Sequence, residues 1–330
     1  MRDSARLSLM SLKLPASTDA AGYERHFKDD RAWRRVAAAI CARHNLAQGS
    51  LRRSPLGENV IFFVDERYVI KIYGPLRRQY ERERASLEFA HGKLSIETPE
   101  VVHAGELDGW PYLVMTRLAG VPLRERWPEI ETRDRFEIVT SLGCALRELH
   151  AHRAPLSPDA LNRDWHEFVM RQARESVGRQ KSCGANAEWL ESLPPYLDAR
   201  LGMLPAQFER VLLHGDVHPG NVLVSETRGG RARVTGLFDF GDSFCGFHEY
   251  DFVAPGVLMV QGRRELQRAL LLAYGYAEAQ LDYDLRARLM LLTILYECSD
   301  LRKYALRLAP DAVRLTLDEL EAAIWPFATP

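Results

Sequence analysis

No run of this chain approaches the roughly 20 apolar residues that a membrane span needs. Its first 14 residues carry Arg2 and Arg6, but the apolar run there is broken by Ser8, Ser11 and Lys13, too weak for a secretory signal. The five cysteines, Cys41, Cys144, Cys183, Cys245 and Cys298, form no C-x-x-C pair and have no histidine spacing that would hold zinc. Such an odd, dispersed set suits free thiols in a reducing cytoplasm. Charge of one sign is also missing. Lys plus Arg number 44 against 45 Asp plus Glu, which removes the global attraction to nucleic acid or an anionic membrane. There is no internal repeat and no long low-complexity linker.

What remains is the composition of an ordinary soluble protein, 46% apolar and 27% charged over 330 residues, enough for one large core or two moderate ones. From Asp30 to His44, Trp33, Val36, Ala37, Ile40 and Cys41 recur at helical spacing, with arginines on the other face. Two β-prone runs, Val60–Val64 and Tyr68–Tyr73, flank Asp65-Glu66-Arg67 after a turn at Gly57-Glu58-Asn59. A charged helix from about Leu76 to His91 follows, then strands Val101–Ala104 and Tyr112–Thr116 around Asp108-Gly109. This is a small sheet with one helix packed on it.

Beyond Gly120 the pattern turns helical, so a lobe boundary is expected near Arg117–Gly120, dividing the chain into 1–117 and 118–330. Phe136–His150 is strongly amphipathic. Ser157-Pro158 reads as a helix start, and Asp164-Trp165-His166-Glu167 has capping-box spacing, although Asp164 or Glu167 could instead face a ligand. Val211–Leu213 is a short strand, and Asn221–Val224 with Val234–Phe238 form a hairpin about Gly229-Gly230. Everything after it is expected to be helical, in segments Glu265–Tyr276, Leu285–Arg307 and Ala312–Ile324.

The chemistry concentrates in His214-Gly215-Asp216-Val217-His218-Pro219-Gly220-Asn221, followed by Asp239-Phe240-Gly241. Phosphoryl transfer to a hydroxyl needs a carboxylate to orient the attacking oxygen and accept its proton. It also needs an amide oxygen and a second carboxylate for Mg²⁺. An Asp, an Asn five positions on, and an Asp at the end of the next strand supply these in the order kinases use. Asp216 alone would read as a turn or N-cap aspartate; the combination gives it the catalytic role and gives Asn221 and Asp239 the metal.

These residues resemble the aminoglycoside phosphotransferase family, whose H-G-D-x-H-x-x-N brand precedes a strand ending in Asp and an aromatic. The likeness covers nearly the whole chain, most weakly before Asp30 and between Ala151 and Arg210. Val69–Gly74 and Trp110–Arg117 look most like the hygromycin-B kinase branch. The resemblance implies an α+β, bilobal protein-kinase-like fold, with a small antiparallel N-terminal lobe and a larger helical C-terminal lobe. It implies ATP or GTP as donor, Mg²⁺ as cofactor, and a small hydroxylated, cationic acceptor held by a monomer or homodimer.

Carried over residue by residue, the resemblance places Lys71 on the nucleotide phosphates with Glu83 as its partner; Glu81 is the rival. An ammonium on an apolar strand would in any case need an anion. Gly57, Glu58 and Asn59 occupy the nucleotide-covering loop, which lacks G-x-G-x-x-G. Met115 and Arg117 correspond to the adenine-binding hinge, though Met115 could equally be core. His214 and Asp251 are implied as supports of the catalytic loop, while His218 and Asp242 are left open. Glu249, Glu297 and Asp300, with Glu167, are candidates for holding a cationic acceptor, Glu297 and Asp300 being expected on one helix face beside Tyr296. Choline, homoserine or sugar kinases would use the same parts. A protein kinase would need an A-P-E element after Asp239, which is absent. A nucleotide-binding pseudokinase would be expected to have lost Lys71, Asp216 or Asp239.

Overall fold

The structure is a computed structural model describing residues 26–46, 49–55, 57–74, 78–153, 159–260 and 262–328. The expected helix start at Ser157-Pro158, the Leu76 end of the charged helix and Leu56 of the covering loop lie outside the described residues. The chain divides into two compact units. One joins residues up to His91 with Thr98–Leu118; the other joins Gly92–Glu97 with everything from Ala119.

The first unit is built on an antiparallel sheet of β1 (Leu51–Arg53), β2 (Val60–Val64), β3 (Tyr68–Ile72), β4 (Val101–Leu107) and β5 (Trp110–Thr116) in the order β1-β2-β3-β5-β4. Asp108 and Gly109 both take positive φ, 50° and 84°, which is what a two-residue turn between β4 and β5 requires. The helix Asp30–Arg43 starts where Asp29 accepts the Ala32 N–H at 3.0 Å. Its stripe of Trp33, Val36, Ala37, Ile40 and Cys41 is buried against Val60, Phe62, Val64, Ile70, Ile72, Trp110, Tyr112 and Val114. Each large side chain so buried contributes about 1.5–3 kcal/mol. Ile70 and Ile72 face this core, so strand alternation turns Lys71 to the opposite face of the sheet. The helix Gln79–Ala90 carries the partner that meets it.

The second unit holds a three-stranded sheet, β6 (Val121–Pro122), β8 (Val222–Glu226) and β9 (Ala232–Leu237), and a pair of β7 (Val211–Leu213) with β10 (Phe244–Gly246). The rest is mainly helical. Thr132–His150 packs on Arg264–Tyr274 closely enough that a Cβ on Gly143 would come within 2.4 Å of the Leu270 carbonyl oxygen. Trp165, the first residue of the Trp165–Ser182 helix, gathers Phe168, Phe244, Phe247 and Tyr250 into an aromatic cluster. Among the described residues no helix is long and apolar enough to cross a membrane.

Two expectations fail here. The chain after the β8–β9 hairpin is not all helical, because Phe244–Gly246 returns as β10 along β7. Nor is Leu285–Arg307 one helix. It breaks into Tyr283–Leu295 and Leu301–Leu308, since Asp300 turns its carboxylate onto the Lys303 N–H at 2.9 Å and caps a new helix. A capping box of Thr316 and Glu319 likewise starts Leu317–Ile324 after the short turn Ala312–Arg314.

Candidate active site

In the first unit, the Lys71 Nζ lies 2.5 Å from Glu83 Oε2, with both side chains almost wholly buried. The hydroxyl of Tyr73, the residue directly after β3, donates to the same oxygen at 2.8 Å. Glu81 is instead half exposed and pairs with Arg78 at 3.0 Å. Gly57 takes φ 108°, and Asn59 is buried, its amide donating to Gln79 at 3.1 Å while its Oδ1 meets no donor among the described residues. Met115 is buried in β5.

Arg117, implied by the resemblance as part of the adenine-binding hinge, directly follows β5. Its N–H donates to the Arg67 carbonyl at 2.8 Å, its guanidinium pairs with Glu66 at 2.5 Å, and the Thr116 N–H is taken by the Glu100 carbonyl.

In the second unit the loop after β7 is shaped by its glycines. Gly215 takes φ 82°, and a Cβ there would stand 2.6 Å from the Asp242 carbonyl oxygen. The His214 Nδ1 accepts the Asp216 N–H at 3.2 Å, so its proton resides on Nε2, which donates to the Phe238 carbonyl at 3.1 Å. The Phe238 N–H in turn donates to the Asn221 carbonyl at 3.0 Å. Asn221 and Asp239 are thereby brought to adjacent ends of the β8–β9 hairpin. Asp239 itself adopts the left-handed conformation, φ 66°, a region that aspartate enters more readily than most non-glycine residues.

Beneath the loop, Asp251 accepts the N–H groups of His214 and Gly215, each at 2.8 Å, and faces His150 Nε2 at 3.1 Å. The His150 Nδ1 meets the Tyr274 hydroxyl at 3.1 Å.

Asp216 is three-quarters buried and surrounded by donors. Its Oδ1 accepts the Tyr296 hydroxyl at 2.9 Å, and its Oδ2 accepts the Asn221 amide at 3.1 Å with His218 Nε2 at 3.3 Å. Burial favours the neutral acid, but His218 and then Tyr296 more than offset it, and the carboxyl is held below its ordinary range. It is therefore ionised at neutral pH and able to accept a proton.

Among the described residues no group of three His, Cys, Asp or Glu side chains could enclose a metal alone. The pair expected from the sequence to hold a cation is an amide, Asn221, and a carboxylate, Asp239, at adjacent ends of the β8–β9 hairpin. Asn221 commits its nitrogen to Asp216, which leaves the amide oxygen as its ligand atom, and two hard oxygen donors beside a triphosphate suit Mg²⁺.

The acceptor candidates fare differently from expectation. Glu249 is buried and bound by Arg288 through both oxygens, at 2.8–3.2 Å, as well as by Tyr276; burial raises its pKa, and these contacts, which pull it down, offset that only in part. It is an internal ion pair and not a surface carboxylate. Asp300 is a helix cap, and Glu297 lies in the same interhelical segment between Arg163 at 2.9 Å and Arg171 at 3.6 Å. The shared acidic helix face does not exist. Glu167 and Asp242 are exposed. Sequence reading missed the contact of Tyr296 with Asp216, which spans 80 positions and has no local signature, and missed Tyr73 and His150.

The model of the phosphotransferase enzyme family matches residues 53–292. An aminoglycoside 3'-phosphotransferase of Streptomyces fradiae is 31% identical over 171 residues, covering 48% of this chain. The chain spans 57% of the length of that curated relative. The GDP complex of wild-type aminoglycoside 2'-phosphotransferase-IIIa superposes with a TM-score of 0.64 at 17% identity, covering 87% of this chain and 97% of that one. The streptomycin–ATP–APH(2")-IIa ternary complex gives 0.54 at 17% identity over 96% and 100%. These structures share the fold.

Proposed function

Because the chain belongs to the phosphotransferase enzyme family, we propose that it transfers the γ-phosphoryl group of ATP or GTP to a hydroxyl of an aminoglycoside, hygromycin B among the candidates, in the cytoplasm. The observation that carries this reading is the ionised Asp216, hydrogen-bonded to Asn221, on a loop that is joined through Phe238 to the residue before Asp239. That is the constellation phosphoryl transfer to an alcohol requires.

Asp216 accepts a hydrogen bond from the acceptor hydroxyl, aligns its oxygen with the γ-phosphorus and takes its proton as the P–O bond forms. Lys71, held rigid by Glu83 and Tyr73, binds the α- and β-phosphates. Asn221 Oδ1 and the Asp239 carboxylate would hold Mg²⁺, which neutralises charge on the triphosphate. Transfer is direct and in line, with no covalent enzyme intermediate, so most of the rate enhancement is placement and electrostatics.

A second reading has one observation in its favour. Glu249, Glu297 and Asp300 are all engaged within the protein, so the acidic surface expected for a polycation is reduced, which suits a less cationic alcohol such as choline, homoserine or a sugar.

The test is nucleoside-diphosphate release from Mg·ATP and Mg·GTP against hygromycin B, kanamycin, gentamicin, streptomycin, choline, homoserine and simple sugars. Acceptor-dependent release with an aminoglycoside supports the first reading; release confined to the metabolites supports the second. Nucleotide binding without transfer to any of these points to a regulatory module.

A further inference from the structure

Asp216 meets three side-chain donors, and only one of them, Asn221, has a role in the reading above. A carboxylate offers about four lone-pair directions, two on each oxygen. Oδ2 faces two donors, Asn221 Nδ2 at 3.1 Å and His218 Nε2 at 3.3 Å. The proton on His218 is fixed by its other nitrogen, because Nδ1 accepts the Gly220 N–H at 2.8 Å and so cannot carry it. Gly220 permits this closeness: a Cβ there would fall 2.4 Å from His218 Cε1. Oδ1 faces one donor, the Tyr296 hydroxyl at 2.9 Å. Among the described residues three of the four directions are taken, and the fourth is on Oδ1, beside the Tyr296 phenol.

Tyr296 is not carried by the catalytic loop. It follows directly on the Tyr283–Leu295 helix, is 4% exposed, packs at 5.5 Å and a 47° tilt against the Tyr250 ring, and its carbonyl accepts the Ser299 N–H. The next residue donates its N–H to the Tyr250 hydroxyl at 3.3 Å. Burial, and then the charge of Asp216, keep the phenol protonated, so it acts only as a donor. A side chain fixed by a different element thus sets the rotation of the catalytic carboxylate.

The geometry points to Tyr296 as a positioning residue which, with His218 on the opposite oxygen, turns Asp216 so that the acceptor hydroxyl is received on Oδ1 next to the Tyr296 phenol. This rests on the phosphotransferase reading of Asp216 and adds which oxygen works and what aims it. The acceptor is then an alcohol whose reacting carbon tolerates an aromatic edge beside it.

The test is steady-state kinetics with Mg·ATP or Mg·GTP and kanamycin or hygromycin B as acceptor, on Tyr296→Phe, His218→Ala and His218→Gln. Gln places an N–H near the position of Nε2. Tyr296→Phe is expected to lower kcat about 10- to 100-fold, the range for one hydrogen bond to a charged group, with the nucleotide KM within about two-fold and the thermal midpoint near wild type. His218→Gln is expected to recover much of what His218→Ala loses. A Tyr296→Phe enzyme with kcat within two-fold of wild type overturns the proposal, as does a loss that appears only in nucleotide KM. An independent arm uses 3-fluorotyrosine labelling: the fluorine resonance absent from Tyr296→Phe should shift in Asp216→Ala. If wild type phosphorylates neither probe, that choice of acceptor fails while the phosphotransferase reading passes to the other acceptors, and this resonance decides the contact, an unmoved signal overturning it.

Discussion

Replacing Glu83 by leucine should destabilise the first unit severely, and a second substitution should restore it without restoring activity. Lys71 and Glu83 meet at 2.5 Å with side-chain exposures of 5% and 2%, so removing the carboxylate takes a direct ion-pair partner from an ammonium in a nearly dry site. Breaking such a pair costs about 3–5 kcal/mol, whereas replacing both partners by apolar groups of similar volume is often neutral. With a urea m-value of about 2 kcal/mol/M, the Glu83→Leu midpoint should fall by about 2 M. The Lys71→Met/Glu83→Leu double variant should recover most of this. It should stay about 1 kcal/mol below wild type, because the Tyr73 hydroxyl loses its acceptor as well. Urea titrations of wild type, Lys71→Met, Glu83→Leu and the double variant, followed by circular dichroism, give the cycle, and the double variant should be folded yet inactive. A single variant within about 1 kcal/mol of wild type, or a double variant no more stable than the worse single, would refute the reasoning.

Two further outcomes are expected. Gly215→Ala forces a left-handed φ of 82° on a residue with a Cβ and drives that Cβ against the Asp242 backbone oxygen; it should cost about 1–3 kcal/mol by urea titration and lower kcat with it, while Gly230→Ala, where the Cβ would meet nothing, should cost less. Stability should also fall on acidification through His248, whose pKa is lowered to about 4 by burial first and then by the charges of His150 and Arg288. The unfolded chain takes up the proton near pH 6.5 and the folded one not until about 4. The contribution is therefore complete above about pH 6.5 and lost on the way down to 4, up to about 3 kcal/mol. Urea midpoints between pH 7.5 and 4.5 should show it, and His248→Gln should flatten that part of the slope; an unchanged slope would contradict it.

The parts of this fold that could be read in the sequence are those with local causes. The stripe from Trp33 to Cys41, the Asp108-Gly109 turn, the Asp164 cap and the Asp216–Asn221 spacing each depend on residues a few positions apart, and each is found in the structure. The Tyr283–Leu308 break was missed because helical periodicity continues through Tyr296–Asp300 while capping by Asp300 interrupts the backbone. The neutralisation of Glu249 by Arg288 and of Glu297 by Arg163 and Arg171 was invisible for a different reason. Those partners are 39, 134 and 126 positions away, and only packing of the Trp165–Ser182 and Tyr283–Leu295 helices joins them.

The most direct test of the central claim is phosphorus NMR of a mixture of the enzyme, Mg·ATP and an accepted alcohol, run with wild type and with Asp216→Asn under the same conditions. The account predicts a phosphate-ester resonance accumulating with ADP in wild type, and a rate lower by at least about 100-fold in the variant while nucleotide affinity is retained. Ester formation by Asp216→Asn at close to the wild-type rate would contradict it.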